Sequence, residues 1–125
     1  MNPARKERPG GRDPAFAVRE SEVIGAVDQW LSARGIPHWR INTGGLKTER
    51  GRLVRFGAKG MADFAAIGPA PGGKAVYIEC KRPKGGVLSQ AQKEFLDCVN
   101  GCGGVGIVVS SAESLELKLR EAGII

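Results

Sequence analysis

Apolar residues recur at helical spacing in the first third of the chain. Between Phe16 and Ala33, a three- and four-residue repeat is formed by Val23, Val27, Trp30 and Leu31. This repeat is typical of an amphipathic helix. Gly35 follows, and glycine is the residue that most often ends a helix. The pattern predicts a helix over residues 16–33.

Shorter patterns in the middle of the chain predict strands. Residues 36–42 alternate in polarity and indicate a half-buried strand that carries Trp39. Apolar runs at 63–67 and 75–81 indicate two more strands, and the turn residues between them predict a hairpin centred near Pro71. The segment 43–59 is a glycine-punctuated loop with one short extended piece predicted at 53–56. Both tryptophans are expected in the core rather than as stacking platforms for nucleic-acid bases.

Capping motifs mark two further helices. The segment 89–92, Ser-Gln-Ala-Gln, has the form of a capping box and predicts a helix that buries Phe95, Leu96 and Val99. The segment 110–113 begins a final helix, which is expected to bury Leu115 and Leu119. The β-branched residues at 105–109 predict a strand between these helices. The order of elements is helix, three strands, helix, strand, helix, which is a mixed α/β domain.

Composition limits the class of protein. The 125 residues suffice for one domain, assigned to residues 16–125, and the Pro-, Gly- and Arg-rich residues 1–15 are expected to be a disordered basic tail. No apolar run is long enough for a transmembrane helix, and the first residues lack the apolar stretch of a secretory signal. We therefore expect a soluble, cytoplasmic protein with no membrane partner. The three cysteines lack CxxC spacing and are expected to be free, mostly buried thiols.

Two carboxylates and a lysine are expected to meet at one end of the hairpin. Side chains alternate across a strand, so Glu79 and Lys81 point to one face and Cys80 to the other. With the turn centred near Pro71, Asp63 falls opposite or nearly opposite Glu79. Alone, Glu79 and Lys81 indicate no more than an ion pair at the end of a strand. With Asp63 across the turn, they predict a metal site with a catalytic base or charge stabiliser beside it.

The hydrolysis of a phosphodiester fits this set of groups. The reaction needs an activated water and stabilisation of charge at phosphorus and at the leaving oxygen, and a divalent cation can serve all three. Mg2+ and Mn2+ prefer oxygen ligands, which Asp63, Glu79 and the backbone carbonyl of Cys80 can supply. Lys81 could orient or deprotonate the attacking water. The expected cofactor is Mg2+ or Mn2+.

Basic residues flank the predicted metal site on both sides in the sequence. The net charge is +6, and the basic side chains near the site are Lys47, Arg50, Arg52, Arg55, Lys59, Arg82 and Lys84. A surface that binds the phosphates of DNA needs such residues. Contacts with backbone phosphates carry no sequence information. The alternative interpretation of residues 43–59 is a solvated basic loop.

Five pieces of the chain together resemble a virus-type replication-repair nuclease (VRR-NUC) domain, a branch of the PD-(D/E)XK nuclease superfamily. They are Glu22 in the first helix, Asn42 at the end of the first strand, and the segments 57–63, 77–81 and 86–92. The last segment carries a Leu-Ser-x-x-Gln motif after the Glu-x-Lys. The resemblance covers roughly residues 20–123, and Ala62 departs from it, because the superfamily often has proline there.

This resemblance implies a restriction-endonuclease-like αβββαβ core, in which a mixed central sheet is flanked by helices. It implies that Asp63 and Glu79 bind metal and that Lys81 is catalytic. It also implies that Glu22 assists through a water or a second ion, and that Gln92 orients the lysine or the substrate. Two plainer roles stay open, since Glu22 could be an exposed helix acid and Gln92 could merely complete the capping box.

The resemblance further implies a metal-dependent DNA endonuclease that leaves 5′-phosphate and 3′-hydroxyl ends. Similar stand-alone domains, often viral, form homodimers that act on branched DNA such as Holliday junctions. A structure-selective homodimer is therefore expected, including the case of a virus-encoded protein inside a host cell. Two alternatives stay open. One is a general or end-processing DNA nuclease without structure selectivity, and the other is a nucleic-acid-binding module without catalysis.

Overall fold

A computed structural model describes residues 17–42, 45–47, 49–51, 53–55 and 58–125, with the backbone alone at 45–47 and 53–55. The predicted tail at residues 1–15 lies outside the described residues. The described part of the chain forms three helices and six strands. In chain order they are α1 (Glu20–Ala33), β1 (His38–Arg40), β2 (Gly45–Lys47), β3 (Leu53–Arg55), β4 (Phe64–Ile67), β5 (Ala75–Cys80), α2 (Gln90–Gly101), β6 (Val105–Val109) and α3 (Ala112–Glu121).

Four of the strands form a mixed sheet in the order β1-β4-β5-β6. β4 pairs antiparallel with both β1 and β5, whereas β6 runs parallel to β5 because α2 crosses over between them. The predicted mixed α/β class is confirmed. β2 and β3 form a separate antiparallel pair. β3 agrees with the extended piece expected at 53–56, but β2 lies where only loop was expected, because three residues are too few to show a periodic pattern.

Helices cover both faces of the sheet. On one face, α1 and α3 enclose the main core, which includes Phe64, Ile78 and Leu115. On the other face, α2 lies over β5 and β6, where the rings of Phe95 and Tyr77 meet edge to face with centroids 5.3 Å apart. The central sheet is thus flanked by helices, as the resemblance implied.

Local signals in the sequence explain most of the helix boundaries. Capping boxes begin α2 at Ser89 and α3 at Ser111, and Gly35 follows α1 with a φ of 66°, which glycine adopts at little cost. The predicted start of α1 was too early, since the helix begins at Glu20. Its N-cap residue is Arg19, whose side chain makes no capping hydrogen bond within the described part of the chain.

Three expectations about burial need correction. Trp39 is 54% exposed, because it lies on the edge strand β1, which α2 does not cover. Trp30 is partly buried against the core, with the guanidinium of Arg34 over its ring.

The cysteines are free, as predicted, but only Cys80 is buried, and Cys98 and Cys102 are exposed. Leu96, Leu115 and Leu119 are buried as expected, while Phe95 and Val99 are only half-buried.

None of the helices in the described ranges is both long and apolar enough to cross a membrane.

Candidate active site

The β4–β5 hairpin brings two carboxylates opposite each other at one end of the sheet. Phe64 pairs with Ile78, so the next position outward aligns Asp63 with Glu79. The register centred on Pro71 is therefore confirmed. Asp63 is 5% exposed and Glu79 is 2% exposed, and in the described part of the chain these are the charged residues that are buried. Burial of two facing carboxylates is costly, so the arrangement calls for a compensating positive charge.

The backbone of Cys80 faces Asp63. Its N–H donates to Asp63 Oδ2 at 2.8 Å. The N–H and C=O groups of one strand residue point to the same neighbouring strand, so the carbonyl of Cys80 is directed to the same side. The Cys80 side chain, by contrast, lies in the core on the opposite face of the sheet. The carbonyl of Cys80 thus points toward the strand that Asp63 precedes, which is the side on which a ligand of the predicted metal has to lie.

Gln92 makes two hydrogen bonds at once. Its Oε1 accepts from the backbone N–H of Ser89 at 2.9 Å, which completes the capping box, and its Nε2 donates to Glu79 Oε1 at 3.0 Å. Gln92 thus completes the capping box, and the other end of its amide stays available for a second contact in the site. Its contact is with Glu79 rather than with Lys81.

Lys81 lies between two acids. Its Nζ is 3.5 Å from Glu79 Oε1 and 3.7 Å from Glu20 Oε1, and its side chain is 15% exposed. The acid that α1 brings to the lysine is thus Glu20, whereas Glu22 is exposed. Helical geometry explains the difference. Glu20 lies three residues before the buried Val23 and therefore shares its face of α1, whereas Glu22 is the immediate neighbour of Val23 and lies on a different face. The same spacing rule applied to the sequence places Glu20 on the buried side of the helix, although it does not show that Lys81 lies there.

Burial controls the electrostatics of this site. The pKa of Glu79 is raised to about 7, chiefly by burial and also by the carboxylate of Asp63, while Lys81 opposes the shift. Burial also raises the pKa of Asp63, against the lowering effects of the Cys80 N–H and of Arg40. Burial and the two carboxylates raise the pKa of the Cys80 thiol, which stays neutral.

One oxygen of the site is left without a partner. Glu79 Oε2 is buried and accepts no hydrogen bond from any described residue. A buried carboxylate oxygen without a donor fits a site that binds a cation. Within the described ranges, no three His, Cys, Asp or Glu side chains are grouped so that they could hold a metal ion. The site proposed here has two carboxylate side chains and one backbone carbonyl, which is one side chain fewer than such a group. These three ligands suffice for Mg2+, because this ion keeps several of its waters.

A glycine allows the segment before Asp63 to pack against α2. Gly60 has a φ of 82°, and a Cβ at this position would overlap the carbonyl oxygen of Ala91. Only glycine permits this close approach of two backbones. The contact holds the chain that leads into Asp63 against the helix that carries Gln92.

Gly60→Ala is expected to lower the free energy of unfolding by about 2 kcal/mol more than Gly103→Ala. Gly103 has a similar φ of 88°, but nothing lies within 4 Å of its Cβ position, so its substitution costs backbone strain alone. Urea unfolding of the two variants measures the difference. Equal losses of unfolding free energy in the two variants would show that the backbone at Ala91 can shift to make room for the new methyl group at no cost.

The structure describes the side chains of part of the predicted DNA-binding set. Arg50, Lys59, Arg82 and Lys84 are exposed. Arg52 lies outside the described residues, and for Lys47 and Arg55 the backbone alone is described. Asn42 is half-buried, and its carbonyl accepts from Arg40 Nη2 at 2.7 Å. Arg40 was not among the predicted site residues, although its charge lowers the pKa of Asp63.

Comparisons with protein-family models, with curated proteins and with solved structures found no match for this chain.

Proposed function

We propose that this protein is a DNA endonuclease that depends on Mg2+ or Mn2+. The observation that carries the proposal is the buried pair Asp63 and Glu79, with one free carboxylate oxygen and Lys81 at 3.5 Å. A structural ion pair needs one acid for each base, whereas here two buried acids adjoin a lysine that Glu20 also approaches. The residue types and their arrangement also agree with the family resemblance.

Each residue has a role in this proposal. Asp63, Glu79 and the carbonyl of Cys80 would hold the cation, which when bound activates water and stabilises the charge of the reacting phosphate. Gln92 fixes the orientation of Glu79 through its 3.0 Å hydrogen bond. Lys81, whose ammonium group Glu20 and Glu79 hold in position, would donate to a phosphate oxygen or orient the attacking water. The cleavage leaves 5′-phosphate and 3′-hydroxyl ends.

The exposed basic side chains would bind backbone phosphates, so recognition would depend on the shape of the DNA rather than on its sequence. A homodimer would place two active sites on one branched substrate, such as a Holliday junction. Structure selectivity and dimerisation both come from the family resemblance, and they are proposed together with the activity.

The purified protein is expected to nick supercoiled plasmid DNA in Mg2+ or Mn2+ and to lose this activity in EDTA. The reaction needs the cation because the two acids repel the phosphate when no metal lies between them. Agarose gels over a time course measure the nicking. Binding of DNA without cleavage in either metal would instead support a non-catalytic binding module.

A panel of labelled substrates tests selectivity. Initial rates on a four-way junction, a flap, a single strand and a plain duplex are expected to differ, with the branched substrates cleaved faster. Equal rates on all four would identify a general nuclease. Sedimentation velocity of the free protein tests the homodimer.

A further inference from the structure

An open cavity adjoins the candidate active site. Its volume is about 610 Å³, and it lies between the first turn of α1 and the segment that follows β5. Lys81 lines both this cavity and the carboxylate site. A ligand in the cavity would therefore lie directly beside the proposed position of the scissile phosphate.

The cavity is lined by more positive than negative charge. Its cations are Arg19, Lys81, Arg82 and Lys84, and Glu20 is its acid. Glu20 approaches Lys81, and Arg82 donates to the carbonyl of Gly85 at 3.3 Å. Among the described residues, neither Arg19 nor Lys84 forms a salt bridge. These two side chains are thus available to an anionic ligand.

Two glycines, Gly85 and Gly86, are among the residues that line the cavity. A Cβ at Gly86 would lie 2.6 Å from the carbonyl oxygen of Arg82 and 2.9 Å from Cβ of Lys81, so the chain folds back closely on the lysine. Val87, which is 77% exposed, and Val18, which is 41% exposed, also line the cavity. These apolar side chains would contact the faces of bases, which a paired duplex keeps stacked in its interior.

We propose that this cavity binds an unpaired DNA strand next to the scissile phosphate, with Arg19 and Lys84 on its phosphates. The inference rests on the proposed function. The volume is that of a pocket for a small molecule, which corresponds to roughly one or two nucleotides of a single strand. A duplex, with two backbones, would touch only the rim of such a cavity. Cationic grooves that follow one backbone are the usual form of single-strand sites.

The test measures the affinity of the full-length protein for a fluorescein-labelled single-stranded 20-mer and for a blunt 20-base-pair duplex. Fluorescence anisotropy with Ca2+ in place of Mg2+ keeps the DNA intact. The double variant Arg19→Gln/Lys84→Gln is expected to bind the single strand roughly tenfold more weakly, and its salt dependence should fall by about 0.7 per cation removed. Its affinity for the duplex should fall by a smaller factor, about threefold at most, because Arg50, Lys59 and Arg82 would still bind the backbone phosphates.

Lys74→Gln is the matched control. Lys74 is exposed and lies just before β5, roughly 20 Å from Lys81 at the other end of this six-residue strand. This variant should bind both probes as the wild type does. Thermal unfolding verifies that all variants are folded.

The outcomes separate the two proposals. If the wild type cleaves plasmid but the double variant binds the single strand as Lys74→Gln does, the cavity is not a DNA site and only the present inference fails. An equal loss on duplex and single strand would also overturn it, because the cations would then be general backbone contacts. If the wild type neither binds nor cleaves DNA, the proposed function itself fails.

Discussion

Asp63→Asn is expected to lower metal-dependent DNA cleavage by about 1000-fold while the protein stays folded. The amide oxygen of asparagine can still accept the hydrogen bond from the Cys80 N–H, which Asp63 Oδ2 accepts at 2.8 Å. The negative charge is lost, however, and with it a proposed ligand of the cation. Removal of the lysine in Lys81→Ala should reduce cleavage to a comparable extent.

The matched control for this prediction is Asp97→Asn. Asp97 is exposed on α2, so its substitution should leave the rate of plasmid nicking unchanged. Initial rates at saturating Mg2+ and circular dichroism of each variant supply the comparison. If Asp63→Asn retained the rate of Asp97→Asn, Asp63 would have no part in catalysis and the carboxylate pair would be structural.

The metal-free protein is expected to lose about 3 kcal/mol of its free energy of unfolding as pH rises from 4.5 to about 7. The pKa of Glu79 is raised from an ordinary value of 4.5 to about 7 in the folded state. Between these values the unfolded chain has released the proton while the folded protein retains it, so rising pH favours unfolding. The contribution of Glu79 to stability is therefore highest below pH 4.5, falls through this window and is constant above it. The raised pKa of Asp63 acts in the same direction.

Glu79→Gln should remove most of this pH dependence, because a neutral amide replaces the group that titrates. The conservative variant Glu121→Gln, at an exposed position in α3, should keep the wild-type profile. Urea unfolding in EDTA at pH 5 and pH 8 provides the measurement.

Addition of Mg2+ should stabilise the wild type more at pH 8 than at pH 5, since the cation binds the ionised carboxylates. It should not stabilise Glu79→Gln to the same extent. A wild-type stability that is flat between the two pH values in EDTA would show that Glu79 is solvated or already paired.

The sequence was most informative where local signals agree with tertiary contacts. The turn residues around Pro71 set the register of the hairpin, and one register places the buried apolar side chains of β5 on the core face. Asp63 and Glu79 then face each other by geometry alone. The capping box at Ser89 likewise marked the start of α2 within the sequence, because its hydrogen bonds join residues three apart.

Other parts of the site depend on how distant elements pack. The choice between Glu20 and Glu22 is decided by which side of α1 meets the sheet. The second hydrogen bond of Gln92, to Glu79, joins residues thirteen apart in the chain. Trp39 is exposed because α2 covers β5 and β6 rather than the edge strand β1. No local pattern reports any of these contacts.

The sequence by itself therefore determined the α/β class, which follows from helical spacing, capping motifs and strand patterns. It also determined the hairpin register and the meeting of Asp63, Glu79 and Lys81, which follow from alternation along strands and from a single turn. Only the tertiary structure decided that Glu20 is the acid of α1 beside Lys81, that one oxygen of Glu79 is buried without a partner, and that a cationic cavity adjoins the lysine. These features arise where residues far apart in the chain exclude water together, and burial of that kind has no periodicity in the sequence.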